Sequence, residues 1–420
     1  MNHFAYQHRE LLCENLPLQI VAEKYGTPLY VYSRQTILDG CGSIESAFGT
    51  RKHLTCYAVK ANANSSILKL LAAKGLGADV GSKGELYLSL RAGFRPEAIS
   101  FSGVGKRDDE IEYALANGVH GFNVESVQEI EVINEIARRL GKRGGILLRV
   151  NLDIDAGGHA YISTSKRQNK FGVPFQHARE VLLAAVALPH IEVLGVHSHI
   201  GSQITNIDVF VKAAHSIVRL VAELREAGLA IPELDFGGGY GVQYHGFVHH
   251  PGIPAETPER PGHTTAEMLH AVLPILETTG CVLSIQPGRA IVAQAGVLLV
   301  RVLYRKETEE KKFIIVDGGM NDLLRPSLYH AHHQIVPIKL QDVPNEIVDV
   351  VGPVCESGDF FAQGRLLQRV DRGDLLALMT AGAYGYVLSS NYNARLRPAE
   401  VLVDGNSHTL IREREVLDKL

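Results

Sequence analysis

The feature that most constrains the fold is a regular alternation of short apolar segments with longer amphipathic segments between about residues 54 and 290. Every apolar segment except the last is followed by a segment with helical spacing, and strand–helix alternation implies a parallel sheet. The predicted strands are 54–59, 77–80, 98–101, 119–124, 146–151, 192–197, 233–236 and 282–286. Eight such units favour a TIM-like (β/α)8 barrel, an α/β fold that we expect over residues 34–288.

The sequence beyond this alternation has a different rhythm. Strand-like runs separated by turn residues, such as "KKFIIVDGG" and "EIVDVVGPVC", predict an antiparallel β domain. The segment "TPLYVYS" is also strand-like, so we expect the β domain to comprise residues 1–33 and 289–420. The stretch 243–263 contains four prolines and predicts a long insertion that is either a surface excursion or a lid.

Charge and composition argue against several classes of function. A formal net charge of −4 over 420 residues gives no sign of nucleic-acid or membrane-surface binding. The five cysteines form no CxxC pair, which disfavours a disulfide framework or a zinc ribbon and favours a reducing compartment. The sequence has no histidine spacing typical of a metal site, no signal-peptide core and no bilayer-spanning apolar run. We therefore expect a cytoplasmic protein without a metal site.

Four unusual motifs follow four of the predicted strands. They are Lys60 after the first strand, "HSHIGSQ" (197–203) after the sixth, "FGGGYG" (236–241) after the seventh and "QPGR" (286–289) after the eighth. The carboxyl ends of the strands form the active-site face of a (β/α)8 barrel. All four motifs are therefore expected at the same mouth of the barrel.

The glycine-rich motifs predict an anion site. Glycines let backbone N–H groups approach phosphate oxygens, and the loops after strands seven and eight are the usual phosphate site of this fold. Gly288 and Arg289 follow strand eight, and Ser202 adds a hydroxyl group. The alternative is a set of independent tight turns, which the neighbouring motifs disfavour.

Lys60 and His199 each have an ordinary explanation when taken alone: a lysine that snorkels from a strand end, and a hydrogen-bonded loop histidine. A partly desolvated amine can instead form a Schiff base with an aldehyde. An imidazole can stack on a flat ring or exchange protons. Together with the phosphate cradle, these residues point to pyridoxal phosphate as the cofactor, whose ring acts as an electron sink.

Over nearly its whole length the sequence resembles the barrel-type pyridoxal-phosphate decarboxylases, also called the alanine racemase-like or fold type III group. The matching stretches include "YAVKAN", "HSHIGSQ", "DFGGGYG", "QPGR", "VDGGMNDLLRPSLY", "GPVCESGD" and "GAYG". The resemblance is greatest to members that decarboxylate meso-2,6-diaminopimelate to L-lysine and CO2. It implies a pyridoxal-phosphate-dependent carboxy-lyase of lysine biosynthesis.

The resemblance also implies a role for individual residues. Lys60 matches the lysine that carries the cofactor, and His199 matches the histidine that stacks on its ring. The other cofactor contacts implied are Ser202, Gly238, Gly239, Gln286, Gly288, Arg289 and Tyr384. The substrate contacts implied are Arg289, Arg325, Tyr329, Glu356 and Tyr384.

Cys355 and Glu356 match residues that the family contributes from a partner subunit. The resemblance therefore implies a homodimer with shared active sites, in which Cys355 donates a proton and Glu356 contacts the distal amino group of the substrate. Taken alone, Cys355 would be interpreted as a small buried apolar residue, but the "CESGD" context favours catalysis. The glutamate after the cysteine also favours diaminopimelate over ornithine.

Gln286 departs from the family pattern, which has a glutamate that pairs with the pyridine nitrogen and keeps it protonated. An amide can hydrogen-bond to the nitrogen but does not stabilise a positive charge there. Three explanations stay open: a natural variant with a weaker electron sink, an engineered substitution, or drift towards a non-decarboxylating role. Because the other motifs are intact, we expect decarboxylation to be retained. Lys83 stands where the family usually has glycine, and the sequence assigns it no role.

Three other functions compete with this interpretation. The first is decarboxylation of ornithine, arginine or a carboxylated polyamine by the same fold. The second is racemisation, which needs a second base on the opposite face of Cα and leaves the carboxylate in the product. The third is a non-catalytic relative that binds a cofactor or a protein partner, for which Gln286 is the supporting feature.

Overall fold

The computed structural model describes residues 3–154, 170–250, 253 and 262–420. The chain divides into two compact units. The β unit comprises Met1–Gly42, Val242–Pro261 and Arg289–Leu420, and the barrel unit comprises Ser43–Gly241 and Gly262–Gly288. The range expected for the barrel, 34–288, thus includes two segments, 34–42 and 242–261, that belong to the β unit.

The chain begins in the β unit with a small antiparallel sheet. Its strands are β1 (Phe4–Gln7), β2 (Glu10–Cys13) and β3 (Leu16–Pro17). Helix α1 (Leu18–Tyr25) and the fully buried strand β4 (Leu29–Ser33) follow. The boundary between the units falls within the next helix, α2 (Arg34–Phe48).

The barrel unit contains, within its described residues, eight parallel strands that form a closed ring. They are β5 (His53–Ala58), β6 (Gly77–Val80), β7 (Ile99–Phe101), β8 (Gly121–Val124), β9 (Gly144–Asn151), β11 (Ile191–His197), β12 (Glu233–Asp235) and β13 (Val282–Ile285). A two-residue strand, β10 (Val173–Pro174), adds to β9. The ring is continuous because β8 pairs with β9 and β13 pairs with β5. The predicted (β/α)8 barrel and its eight strands are confirmed, with ends that differ by a few residues.

Helices alternate with these strands, as the crossover connections of a parallel sheet require. They are α3 (Ser65–Ala73), α4 (Lys83–Ala92), α5 (Asp108–Asn117), α6 (Val127–Arg139), α7 (Ala178–Val186), α8 (Ile207–Glu226) and α9 (Thr265–Leu276). Side chains that accept backbone N–H bonds begin several of them, for example Asn64 at α3 and Ser126 at α6. The strand ends that carry the predicted motifs therefore open into loops at one end of the ring.

The rest of the chain forms the main sheet of the β unit, with two short helices, α10 (Arg289–Val292) and α11 (Arg325–Tyr329). Its strands are β14 (Gly296–Glu307), β15 (Lys312–Val316), β16 (Ile335–Pro337), β17 (Asn345–Val351), β18 (Phe360–Gln368), β19 (Leu375–Leu378), β20 (Ala399–Asp404) and β21 (Ser407–Arg412). β4 joins this sheet between β14 and β20.

The predicted antiparallel β domain is confirmed, and two pairs of strands within it run parallel. These pairs are β15 with β17 and β4 with β20. Both join strands that are separated by long connections, so no tight hairpin imposes the antiparallel direction.

The insertion predicted at 243–263 is partly visible, since residues 251–252 and 254–261 lie outside the described residues. Its beginning is anchored in the β unit. Val248 is buried in the hydrophobic core of that unit. The Gln334 side chain accepts the Val248 N–H and donates to the Val248 carbonyl, both at 2.8 Å. Residues 242–250 are therefore an integral part of the β unit.

Across the ranges that the structure describes, none of the helices combines the length and the apolar character that crossing a membrane requires.

Candidate active site

Lys60 lies just beyond β5, in a short 3-10 turn formed by Val59–Ala61. Its Nζ atom is 3.8 Å from Oδ2 of Asp79, a buried residue on the adjacent strand β6. Asp79 Oδ1 in turn accepts a hydrogen bond from the Ser102 hydroxyl. The Lys60 side chain is 51% exposed, as a partly desolvated amine would be. The turn carries the lysine past the end of the strand, and Asp79 provides the negative charge beside it.

His199 lies in the loop that follows β11, and a backbone contact determines its hydrogen-bonding state. Its Nδ1 accepts the N–H of Gly238 at 3.1 Å, so Nδ1 is unprotonated. Burial lowers the pKa of His199 well below its ordinary value, and the charge of Lys60 lowers it further. His199 is therefore a neutral imidazole whose proton resides on Nε2.

The glycine loop after β12 packs tightly against the neighbouring loops. A Cβ atom on Gly238 would lie 2.3 Å from the carbonyl oxygen of Gln286, and one on Gly239 would lie 2.5 Å from that of Gly201. Gly239 also has a φ of +100°, which favours glycine. Gly288 is equally confined, with a Cβ that would lie 2.9 Å from the Ala61 side chain. Only glycines allow the loops after β11, β12 and β13 to come this close together.

Gln286, which follows β13, forms a buried pair with Asp235 at the end of β12. The Gln286 Nε2 donates to Asp235 Oδ2 at 2.8 Å, and the N–H of Gly237 donates to Oδ1 at 2.8 Å. Burial raises the pKa of Asp235 to about 7. Sequence analysis missed Asp235, although its place directly before the glycine loop was a usable signal.

In the β unit, Arg289 and Arg325 are buried together, with 7% and 5% of each residue exposed. Arg289 Nη1 donates to the Tyr244 hydroxyl at 2.6 Å, and the Arg325 guanidinium lies 4.6 Å from the centre of the Tyr244 ring. Arg325 forms no ion pair with a carboxylate anywhere in the described ranges. Two buried guanidinium groups that contact the same tyrosine attract an anion, and a carboxylate is an anion that guanidinium groups bind well.

His333 orients one of these arginines. Arg325 Nη1 lies 2.8 Å from His333 Nε2, while His333 Nδ1 lies 2.8 Å from the carbonyl oxygen of Met379. A carbonyl only accepts, so Nδ1 carries the proton and Nε2 accepts from the guanidinium. Burial lowers the pKa of His333 well below its ordinary value, and the charge of Arg325 adds to this effect. His333 and Tyr244 were both missed in the sequence, where neither lies in a recognisable motif.

Tyr384 and Tyr329 complete this group in the β unit. The Tyr384 ring centre is 4.8 Å from the Arg289 guanidinium. Tyr384 has a φ of +55°, a left-handed conformation that costs free energy in a non-glycine residue and is found mainly at functional sites. Tyr329 ends helix α11, which Arg325 begins, and its phenol is among the groups that act electrostatically on both arginines.

Cys355 and Glu356 lie on an exposed loop between β17 and β18, so the interpretation of Cys355 as a buried apolar residue is wrong. The loop is held by the buried Asp359, whose carboxylate accepts the N–H groups of Met320 and Val354, both at 2.6 Å. The Tyr392 hydroxyl donates to Glu356 at 2.5 Å. The loop thus presents a thiol and a carboxylate to solvent on a fixed backbone.

Lys83, the smaller departure from the family pattern, begins helix α4. Its Nζ lies 3.0 Å from Oδ2 of Asp109 on α5, and both side chains are exposed. This contact joins two neighbouring helices at the exposed surface of the barrel unit.

The residues at the barrel mouth fit pyridoxal phosphate. The cofactor needs a primary amine, a donor-rich loop for its phosphate and a neutral planar group against its ring. Lys60, the glycine loop and His199 supply these three in the barrel unit. The confined glycines keep side chains out of this loop, which is the character of a backbone site for an anion.

A (β/α)8 barrel with this lysine, imidazole and glycine loop defines the class of enzymes that work through a phosphorylated aldehyde cofactor. The family described as "Pyridoxal-dependent decarboxylase, pyridoxal binding domain" matches residues 34–293. The chain belongs to these pyridoxal-dependent decarboxylases. The predicted family, the cofactor pyridoxal phosphate and the enzyme class, a carboxy-lyase, are confirmed.

Similar proteins span the whole chain. A diaminopimelate decarboxylase of Haemophilus influenzae is 45% identical and covers 100% of this chain and 98% of its own length. The structure of diaminopimelate decarboxylase from Helicobacter pylori complexed with L-lysine has a TM-score of 0.89 at 39% identity, covering 96% of this chain and 98% of that one. The enzyme from M. jannaschii in co-complex with L-lysine has a TM-score of 0.91 at 35% identity, covering 99% and 95%.

Proposed function

We propose that this enzyme decarboxylates meso-2,6-diaminopimelate to L-lysine and CO2. The observation that carries the proposal is the buried pair Arg289 and Arg325, because only a substrate with a second carboxylate provides the anion that this pair attracts. Ornithine and arginine have a cationic distal group, which two guanidinium groups repel. The full-length relatives at 45% identity, which are diaminopimelate decarboxylases, support the same assignment.

Lys60 carries the cofactor in this proposal, and Asp79 orients its amine before the cofactor arrives. His199 lies against the cofactor ring as a neutral imidazole, and Gly238 fixes its orientation. Ser202, Gly238, Gly239 and Gly288, which the resemblance assigned to the cofactor, complete its site in the barrel unit. The bound cofactor supplies the electron withdrawal that stabilises the substrate carbon when CO2 leaves.

Recognition of the substrate is assigned to the β unit. Arg289, Arg325 and Tyr329 bind the distal carboxylate, and His333 keeps Arg325 in place by accepting its N–H. Tyr384 lies over the Arg289 guanidinium and contacts both cofactor and substrate. The carboxylate that leaves as CO2 is not held by the arginine pair, so the pair determines which end of the molecule reacts.

We also propose that the enzyme acts as a homodimer in which Cys355 and Glu356 serve the partner's site. Cys355 protonates Cα after CO2 has left, and Glu356 binds the distal amino group. The exposure of both residues on a rigidly held loop supports this assignment, since a loop that served its own subunit would not need to face outward. A cytoplasmic location is proposed as well. It is supported by the five cysteines, Cys13, Cys41, Cys56, Cys281 and Cys355, which form no disulfide bond.

The test is a turnover assay with pyridoxal phosphate and meso-diaminopimelate, with ornithine and arginine in parallel. We expect CO2 and L-lysine from meso-diaminopimelate in equal amounts and little CO2 from the other two. Preferred turnover of ornithine would show that the substrate is wrong. A product that keeps its carboxylate would indicate a racemase, and a lack of turnover on all substrates would indicate a non-catalytic relative.

A further inference from the structure

Tyr244 is placed between the two buried arginines by the described start of the insertion. Only 6% of this residue is exposed. Its hydroxyl oxygen accepts from Arg289 Nη1 at 2.6 Å, and its ring packs edge-on against His333 with a centroid distance of 5.4 Å. Gln334 anchors the following backbone at Val248, so the position of Tyr244 is supported from both sides.

The electrostatic surroundings of Tyr244 are strongly positive. Arg289 and Arg325 stay charged throughout the accessible pH range. Within the described residues, the titratable groups that act on this pair include His333, which is neutral and accepts from Arg325, and the phenols of Tyr329 and Tyr384. The Tyr244 phenol oxygen accepts a hydrogen bond from Arg289, and its ring lies 4.6 Å from the Arg325 guanidinium. Tyr244 is therefore well placed to balance the arginine charge by losing a proton.

The pKa of Tyr244 is shifted in the direction that favours loss of its proton. Burial by itself raises the pKa of the Tyr244 phenol, but the charges of Arg289 and Arg325 and the hydrogen bond from Arg289 outweigh it. The net pKa lies below that of an ordinary tyrosine. A phenolate at this position competes with any incoming carboxylate for the same two guanidinium groups, whereas a neutral phenol has an O–H that donates to the carboxylate.

We propose that Tyr244 is a proton-linked counter-ion of the arginine pair: it balances the pair as a phenolate when no carboxylate is present and takes up one proton from solvent when a carboxylate binds. The neutral Tyr244 then accepts from Arg289 and donates to the carboxylate. This role rests on the proposed function in one respect, which is that the incoming anion is the distal carboxylate of the substrate. Sequence motifs did not assign Tyr244, because its role depends on how the start of the insertion packs within the β unit.

The sign of the pH dependence follows from this competition. Below the pKa of Tyr244 in the free enzyme, the phenol is already neutral and carboxylate affinity does not depend on pH. Above that pKa, binding of each carboxylate requires Tyr244 to take up one proton from solvent, so affinity falls by about tenfold per pH unit. The bound carboxylate raises the pKa of Tyr244, because its negative charge disfavours the phenolate.

The test uses the holoenzyme and heptanedioate, which has the carbon chain of the substrate without its amino groups and cannot react with the cofactor. Calorimetric titrations between about pH 7 and 10, in buffers of different ionisation enthalpy, give both affinity and proton uptake. We expect proton uptake to approach one per site as affinity falls, and the tyrosinate absorbance in the near ultraviolet to decrease on binding. In Tyr244→Phe, affinity should be independent of pH and proton uptake should vanish.

Tyr304→Phe is the matched control, because Tyr304 is an exposed tyrosine of β14 whose ring centre lies 5.3 Å from the Arg372 guanidinium, and its replacement leaves the Tyr244 hydrogen bond in place. It should keep the proton uptake of the wild type. Uptake that persists in Tyr244→Phe, or a wild-type affinity that is flat over the whole range, would overturn the proposal. If Tyr244→Phe does not fold, the tyrosinate absorbance of the wild type tests the proposal by itself: a decrease on binding supports it and an unchanged absorbance contradicts it. Proton-linked binding in an enzyme that fails to convert meso-diaminopimelate would contradict the proposed function and leave the role of Tyr244 intact.

Discussion

The side-chain amide of Gln286 donates to the carboxylate of Asp235 at 2.8 Å, and both residues are buried. This contact engages Nε2 of Gln286 and leaves Oε1 as its remaining acceptor. When Asp235 is ionised, its negative charge one hydrogen bond behind the amide makes Oε1 a better acceptor. In the proposed cofactor site, an ionised Asp235 would therefore offset part of what is lost when an amide stands at a position where the family has a carboxylate.

Gln286→Glu should increase kcat for meso-diaminopimelate, because a carboxylate stabilises a protonated cofactor ring better than an amide does. The new carboxylate would lie against Asp235, and two carboxylates in contact share one proton. Asp235, whose pKa is already raised to about 7, retains that proton and leaves the charge at position 286. Kinetics and the visible spectrum of the bound cofactor measure the effect. An unchanged or lower kcat would count against the ring-protonation argument.

Asp235→Asn should flatten the pH dependence of stability between about pH 4 and 7. The pKa of Asp235 in the folded state is about 7, so in this window the folded state binds more protons than the unfolded state. The free energy of unfolding then falls as pH rises, by up to about 4 kcal/mol for this one group. Burial also raises the pKa of Asp322 to about 7, so the variant should keep part of the slope.

Urea denaturation at several pH values across this window measures the change. Asp108→Asn is the control, because Asp108 is exposed at the start of α5. It should leave the slope as it is in the wild type. An Asp235→Asn protein with the wild-type slope would show that Asp235 is ionised in the folded enzyme at all of these pH values.

Lys60→Ala should abolish the visible absorbance of the bound cofactor together with turnover, because we propose that the Lys60 amine is the covalent anchor of the cofactor. Lys83→Ala is the matched control, since the Lys83 amine contacts Asp109 on the surface of the barrel unit. The control protein should keep both the spectrum and the rate. Full turnover by Lys60→Ala would show that the anchor has been assigned to the wrong residue.

Mixing Lys60→Ala and Cys355→Ala proteins after partial unfolding and refolding should restore activity that neither has alone. If Cys355 acts in the partner's site, each mixed dimer contains one site with both residues intact. Random assortment then gives about a quarter of the wild-type activity. Sedimentation or light scattering must show a dimer in the same samples. A mixture that stays inactive although mixed dimers form would place Cys355 and Lys60 in the same subunit's site.

His333→Leu should raise KM for meso-diaminopimelate roughly tenfold and change kcat less, because a buried donor without its acceptor costs about 1–3 kcal/mol. The Arg325 guanidinium loses the Nε2 atom that it contacts at 2.8 Å. His333→Gln should restore much of the affinity, since an amide oxygen can accept the same N–H. Equal KM values in both variants would show that His333 fills space and does not orient Arg325.

Much of the fold was predictable because it is encoded locally. The spacing of apolar residues predicted the eight strands of the barrel, and the position of each motif after a strand predicted its place at the mouth. The glycines of "GGGYG" were predictable for the same reason, since the need for a missing Cβ is visible in the residue type. The resemblance to the family then pointed to the roles of Lys60 and His199 before any geometry was known.

The tertiary structure decided what depends on residues that are distant in sequence. Asp235 and Gln286 are separated by 51 positions and meet because β12 and β13 are neighbours in the barrel. Tyr244 and Arg289 are 45 positions apart, and their contact forms because the insertion packs into the β unit. A sequence pattern gives the spacing of apolar residues within one segment and does not show which distant segments come into contact. The ionisation states of Asp235 and Tyr244 are set by burial and by charges from other segments, which only the folded chain brings together.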